Sequence, residues 1–224
     1  MPRGLASGKR AWLAPAARTP TYTFMPPVTA ALIVANVAMF LLESSTGDLL
    51  TPLALWPFGA SQFAGVGFAP WQLVTYAFLH GSLLHLFFNM FALYMFGGPI
   101  EQVFGSRRYL SYYMVCVVSA AVTQLLVALL TGGFYPTVGA SGGVFGLLLA
   151  YGLYFPTSRV MLLFPPIPMP ARVFVFVYAI LELVMGVTGA QSGVAHFAHL
   201  GGMVGGFFML RYWRGAGSTW RRWF

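Results

Sequence analysis

The chain has 224 residues, of which 58% are hydrophobic and only 7% charged, and it carries a net charge of +8. About a quarter of the residues of a soluble domain are charged, so this composition cannot clothe a water-soluble surface and the chain reads as an all-α membrane protein. Its basic residues are dispersed between apolar runs instead of gathered in one patch, which argues against nucleic acid as a partner and for a role in membrane topology.

Residues 1–26 place Arg3, Lys9, Arg10 and Arg18 among Pro, Ala and Thr, with no apolar run long enough for a signal-peptide core, and read as a short basic tail. A first span is expected at 27–42, closed by the polar run 43–48. Residues 49–82 are apolar and aromatic, but Pro52, Pro57, Gly59, Gly65, Gly67 and Pro70 interrupt them. That pattern predicts short helical pieces lying in the membrane interface, where Trp56 and Trp71 are favoured. Further spans are expected at 83–103, 109–130, 139–155, 173–187 and 194–210, with a stiff proline-rich connector at 156–170 and a basic tail at 211–224. Residues 27–210 thus form the membrane domain. The single cysteine, Cys116, lies in an apolar run and supports no disulfide framework.

Six spans alternate sides, which makes the positive-inside rule a test. All twelve Lys and Arg residues fall in the two tails and in the connectors after spans two and four, on one side, and the other three connectors hold none. Both termini are therefore expected in the cytoplasm.

With that topology, spans two, four and six run from outside to inside. His85, Ser141 and His199 then lie at similar depth beneath the outer surface, each on a different helix. Intramembrane polar side chains are functional candidates because an unpartnered one is costly. Gly142 and Gly146 on span four, and Gly202 and Gly206 on span six, are spaced four apart and offer grooves for close approach. His199 shares the stripe of Gly202 and Gly206, within about 60° on a helix turning about 100° per residue. Phe145 stands one turn below Ser141, where its ring can brace an imidazole. A serine hydroxyl beside an imidazole is the activated-nucleophile arrangement. His85 and Asn89, at i and i+4, share a face and offer N–H donors which, with the Ser141 amide at a helix N-terminus, suit an oxyanion hole.

Of the four acids, Glu182 alone is intramembrane; it reads as a structural hydrogen-bonding residue, leaving a Ser/His dyad. His80 and His196 read as loop anchors at the water boundary. The pair His196 and His199 has no carboxylate or cysteine at ligand spacing in the sequence, so no metal and no cofactor are expected. The segment Gly139-Ala-Ser141-Gly-Gly143 also fits the elbow of soluble hydrolases, but the strand and sheet that elbow requires are absent.

These residues resemble the rhomboid intramembrane serine proteases over roughly 70–206. Gly139-Ala-Ser141-Gly142 is similar to that family's nucleophile motif, His85-xxx-Asn89 to its second-helix motif, and Ala198-His199-xx-Gly202-xxx-Gly206 to its histidine helix. Gly97-Gly98-Pro99-Ile100-Glu101 with Gly105-Ser106 resembles the end of the family's second helix. The resemblance implies a six-helix rhomboid bundle with a membrane-embedded first loop and a water-filled cavity open to the outside. It implies Ser141 as nucleophile, His199 as general base, and His85, Asn89 and the Ser141 amide as oxyanion donors. The expected activity is endoproteolysis of transmembrane segments of other membrane proteins, in a bacterial inner membrane, with the lipid bilayer as the other partner. Span five and the turn 189–193 are the expected gate. A non-catalytic, helix-binding protein of the same fold is the competing reading, disfavoured because both Ser141 and His199 are present. The Trp-Arg pair often found in the family's first loop is absent: Trp56 precedes Pro57 and Trp71 precedes Gln72.

Overall fold

The computed structural model describes residues 25–161, 166–189 and 195–215. It is an all-helical bundle apart from one small hairpin. Helix α1 (Pro27–Thr46) starts on a proline at its first position and ends where Gly47, at φ +60°, returns its N–H to the Glu43 carbonyl. It runs past the expected end at residue 42 because Ser44, Ser45 and Thr46 bond back to carbonyls of Phe40 and Leu42, so their hydroxyls make no demand on the surroundings.

The first loop is built as expected from short pieces: a 3₁₀ segment (Gly47–Leu53), α2 (Ser61–Ala64), α3 (Gln72–Thr75) and a second 3₁₀ turn (Tyr76–Phe78). Gln72 knits it together. Its side-chain carbonyl accepts from the Trp56 N–H, and its amide nitrogen donates to the carbonyls of Pro52 and Gly67. The residue that stands where an arginine often follows tryptophan is thus a buried, fully engaged amide.

The second span is α4 (Leu83–Ala92), a π-helical turn (Leu93–Gly97) and α5 (Gly98–Phe104), continuous over Leu83–Phe104. At its C-terminal end the Glu101 carboxylate accepts from the backbone N–H of Val28 and Thr29, the Thr29 hydroxyl and the Ser106 hydroxyl. The orphan N–H groups of α1 are therefore capped by a different helix, which fixes α1 against the bundle.

Helix α6 (Ser106–Thr131) is the longest, and α7 (Ser141–Tyr154) follows it through a turn. The connector after α7 is not a plain loop: β1 (Arg159–Met161) pairs antiparallel with β2 (Pro168–Pro170). Helices α8 (Ala171–Thr188) and α9 (His196–Gly215) complete the described chain. Helix α9 continues beyond the expected end at Leu210, its Arg214 lying in the last turn where cations are favoured.

Among the described residues, four helical stretches are long and apolar enough to cross a membrane: Pro27–Leu53, Leu83–Phe104, Ser106–Thr131 and Ala171–Thr188. Val34, Leu41, Leu126, Leu130, Phe176, Val187 and Phe208 are among the large apolar side chains they and α9 expose, which suits a lipid surrounding. Helix α7 is different. Most of it is buried, packed against α6, α8, α9 and the second span, and its 14 residues rise only about 21 Å.

Glycine makes this packing possible. A Cβ on Gly146 would meet the Cys116 side chain of α6 and lie 3.2 Å from the Gly202 carbonyl of α9. A Cβ on Gly206 would lie 3.0 Å from Tyr112 Cζ. The close contacts are sealed by interhelical hydrogen bonds, Tyr112 to the Gly146 carbonyl and Ser119 to the Gly201 carbonyl, both at 2.8 Å.

Candidate active site

Ser141 is the first residue of α7, reached by a backbone segment held in place from two directions. Leu55 and Thr137 exchange both backbone hydrogen bonds, and the Gly139 N–H donates to the Tyr76 carbonyl at 3.0 Å. Gly139 takes φ +125°, a region that suits glycine, and a Cβ there would lie 2.7 Å from His85 Cε1. The same point is 3.7 Å from Ser141 Oγ, so His85 and Ser141 flank Gly139.

His85 is carried by the first turn of α4, which Ser82 caps by accepting from the His85 N–H at 3.1 Å. Asn89 lies one turn on, buried, with one N–H of its amide donated to the His85 carbonyl at 2.9 Å. Where sequence reasoning put His80 at the water boundary, the structure buries it edge-on to His85, ring centres 5.1 Å apart. His80 lies in the loop before α4; burial, and secondarily His85, hold its pKa down at about 4.

His199 comes from α9. Its Nε2 lies 2.8 Å from Ser141 Oγ, and its ring stacks on Phe145 with centres 4.4 Å apart and planes within 4°. Gly142 and Gly202 set this distance: a Cβ on Gly202 would run into the Gly142 carbonyl. The expected meeting of Ser141, His199, Phe145 and the paired glycines is therefore what the fold builds. A hydroxyl donating to an imidazole nitrogen across a helix seam can transfer its proton there and become a nucleophile.

Glu182 is the hydrogen-bonding residue the sequence suggested, with partners the sequence did not name. Glu182 of α8 offers one carboxylate oxygen, Oε2, to two imidazoles, at 2.9 Å from His199 Nδ1 and 2.7 Å from His196 Nδ1. His196 is buried, where it was expected at the water boundary. The ligand atoms of Glu182, His196 and His199 lie within 4.8 Å of one another, so a spacing argument made along α9 alone overlooked a carboxylate from the neighbouring helix. On the expected topology, the signal for this contact was the depth of Glu182, about two turns from the C-terminal end of its span, which is the depth expected of His199 on the neighbouring span. Much of the expected gate turn, at 190–193, lies outside the described residues.

Comparison with known proteins adds an independent line. Residues 67–215 match the family model of the Rhomboid domain. The chain is 28% identical over 190 residues to rhomboid protease GluP of Bacillus subtilis (strain 168), an alignment covering 84% of this chain and 34% of that protein. It is 28% identical over 189 residues to rhomboid protease GlpG of Yersinia pestis (strain Pestoides F), covering 84% of this chain and 62% of that one. The chain thus spans about a third of the first relative and less than two thirds of the second.

Proposed function

This chain belongs to the rhomboid family and is a multi-pass membrane protein, and from that premise we propose that it is an intramembrane serine endopeptidase cutting transmembrane segments of other membrane proteins. One observation carries the reading: the Ser141 hydroxyl and the His199 imidazole, delivered by different helices, lie 2.8 Å apart at the head of a buried helix.

In this reading Ser141 Oγ attacks the scissile carbonyl as its proton passes to His199 Nε2. The oxyanion that forms is met by the Ser141 backbone N–H, at the positive end of α7, and by His85 and Asn89 on α4. Collapse expels the amine, which takes the proton from His199, and leaves an acyl ester on Ser141. Water then gives a proton to His199 and attacks the ester, releasing the acid and returning the hydroxyl its proton. Stacking on Phe145 keeps the imidazole in one plane through both halves of the cycle.

With six spans and both termini in the cytoplasm, as the charge pattern favours, this site opens toward the outer face. The shortness of α7 supports that placement, because about 21 Å of helix leaves Ser141 recessed in a hydrocarbon layer about 30 Å thick, within reach of water from one side. A helical substrate must unwind locally before its carbonyl can enter, which favours small residues near the cut.

The test is fluorophosphonate labelling of the purified protein together with cleavage of a model transmembrane substrate in liposomes. Wild type should label and cut; Ser141→Ala should do neither, and His199→Ala should lose both by several orders of magnitude. Labelling that survives in Ser141→Ala would move the nucleophile elsewhere, and a wild type that neither labels nor cuts would favour a helix-binding protein without catalysis.

A further inference from the structure

The dyad leaves one nitrogen of its own histidine unexplained. His199 has two ring nitrogens, and a neutral imidazole carries its single proton on one of them. Nε2 must carry the lone pair if it is to take the proton of Ser141. In the other tautomer Nε2–H faces the hydroxyl and cannot act as a base.

Nδ1 of His199 lies 2.9 Å from Glu182 Oε2. A carboxylate is an acceptor only, so it admits the Nδ1–H tautomer and excludes the wrong one. Glu182 is 9% exposed and its Oε2 accepts a second time, from His196 Nδ1 at 2.7 Å. An ionised carboxyl buried between helices is costly unless it is hydrogen-bonded, and two imidazole N–H donors on one oxygen offset that cost. The backbone is shaped for the contact. One turn on in α8, a Cβ on Gly186 would lie 3.0 Å from the Phe197 ring and 3.3 Å from His196 Cβ, so the glycine lets α8 approach α9 closely enough for Glu182 to reach both rings.

Resting on the Ser141–His199 reading above, we propose that Glu182 is a positioning residue for the reaction. It completes a Ser141–His199–Glu182 relay across α7, α9 and α8, in which His196 holds the carboxylate from its other side. Glu182 fixes the tautomer before proton transfer and faces the imidazolium afterwards, in surroundings where an uncompensated charge is expensive. It does not touch the substrate. The rival explanation, a polar tie holding α8 to α9, needs neither His199 nor a particular tautomer.

The experiment compares wild type with Glu182→Gln, His196→Gln and Ser141→Ala, each as the full chain in liposomes. Glu182→Gln keeps the shape but also offers an amide N–H, which admits the wrong tautomer. Its kcat should fall at least about tenfold and up to roughly 10⁴-fold, the loss seen when a triad carboxylate is replaced by its amide. KM should stay within about twofold, because only the transition state loses an interaction. His196→Gln, which leaves Glu182 and His199 in place, should lose less. A second readout needs no turnover: in ¹⁵N-histidine-labelled Ser141→Ala protein that also carries His196→Gln, so that His196 contributes no signal, the strongly hydrogen-bonded Nδ1–H of His199 should give a far-downfield proton resonance, absent once Glu182→Gln is added.

A Glu182→Gln enzyme with wild-type kcat beside a dead Ser141→Ala would overturn the relay while leaving the peptidase reading intact. So would a loss confined to KM or tracking a fall in melting temperature, which is what a mere tie predicts. If Glu182→Gln fails to fold, the resonance in Ser141→Ala decides alone, and its absence sinks the proposal. Turnover abolished by a chelator and restored by zinc would also overturn it, since the trio would then be holding an ion.

Discussion

Gly202→Ala tests whether the glycine seam between α7 and α9 sets the reacting distance. A Cβ at position 202 would lie 2.8 Å from the Gly142 carbonyl carbon and 3.2 Å from its Cα, with the carbonyl oxygen nearer still. Non-bonded carbons rest at about 3.5–4.0 Å. The obstacle is backbone, so no side chain can turn aside, and α9 has to back away from α7 by about 0.7–1.2 Å, the difference between those figures. His199 lies one turn away on the same stripe, so its separation from Ser141 grows from 2.8 Å to roughly 3.5–4.0 Å, beyond hydrogen-bond range. Overpacking of this kind costs about 1–3 kcal/mol of stability, whereas misplacing reacting groups by about 1 Å costs about 10²-fold in rate. The assay is the rate of fluorophosphonate labelling, normalised to folded protein by thermal unfolding in detergent. Gly205→Ala is the control, because its Cβ would press on the Ser119 side chain of α6, away from the α7 seam. It should lower the melting temperature about as much while sparing most of the labelling rate. The reasoning fails if Gly202→Ala labels at the wild-type rate, or if Gly205→Ala loses as much activity for the same loss of stability.

Two further predictions concern the first loop. His80 is neutral in the fold, with its pKa at about 4, whereas in an unfolded chain it takes a proton near about 6.5. The unfolded state therefore binds the proton first: stability is complete above about pH 6.5 and declines as pH falls toward 4, by up to roughly 3 kcal/mol. Melting curves between pH 7.5 and 4.5 should show a shallower decline in His80→Gln than in wild type, and parallel declines would remove His80 as the cause. Gln72→Leu leaves the Trp56 N–H and the Gly67 carbonyl without the partner they share, at about 1–3 kcal/mol for each buried group left unpaired, while the Pro52 carbonyl keeps the Trp71 indole N–H. Its melting temperature should drop and protease should nick the first loop sooner; an unchanged melt would show that the loop is held by its apolar contacts alone.

What could be read from the residues was whatever is local or periodic. The apolar runs are long and uncharged enough to place the spans, and Ser141, His199, Gly142, Gly202 and Phe145 could be matched because each helix carries its own glycine spacing and depth. The failures have physical reasons. Ser44, Ser45 and Thr46 look like a loop but satisfy themselves inside α1. Helix α9 runs on through Trp213, which packs edge-on against Phe104 and lies beneath the Arg108 guanidinium, 5.9 Å from its ring centre, contacts no single-helix pattern encodes. The π-helical turn at Leu93–Gly97 lies within an unbroken apolar run, at Gly97, where a Cβ would lie 3.3 Å from both Leu93 and Thr29. The partners of Glu182 could not be named because they are 14 and 17 residues away on another helix, and hydrogen bonds across helices leave no spacing in the chain.

The relay and the expected gate constrain each other. Helix α8 has the surface of a mobile element: Phe176, Ile180, Leu183, Val184 and Val187 face outward, and inward it leans on α7 and α9. Sliding such a helix through lipid exchanges one apolar contact for another at little cost. Glu182 changes that. Moving α8 outward by even an ångström stretches the bonds at 2.7 and 2.9 Å past useful length and leaves an ionised carboxyl without donors between apolar helices. An α8 that swung wide would therefore also release His199 from its tautomer, so a substrate could be admitted but not cut until the helix returned. Access that keeps Glu182 in place has to come from the C-terminal end of α8 beyond Gly186, roughly one turn past the carboxylate, where the helix carries no further polar tie among the described residues. On the proposed function, entry and chemistry are then separable: motion beyond Gly186 would admit the substrate, and rigidity at Glu182 would keep the base ready when it arrives.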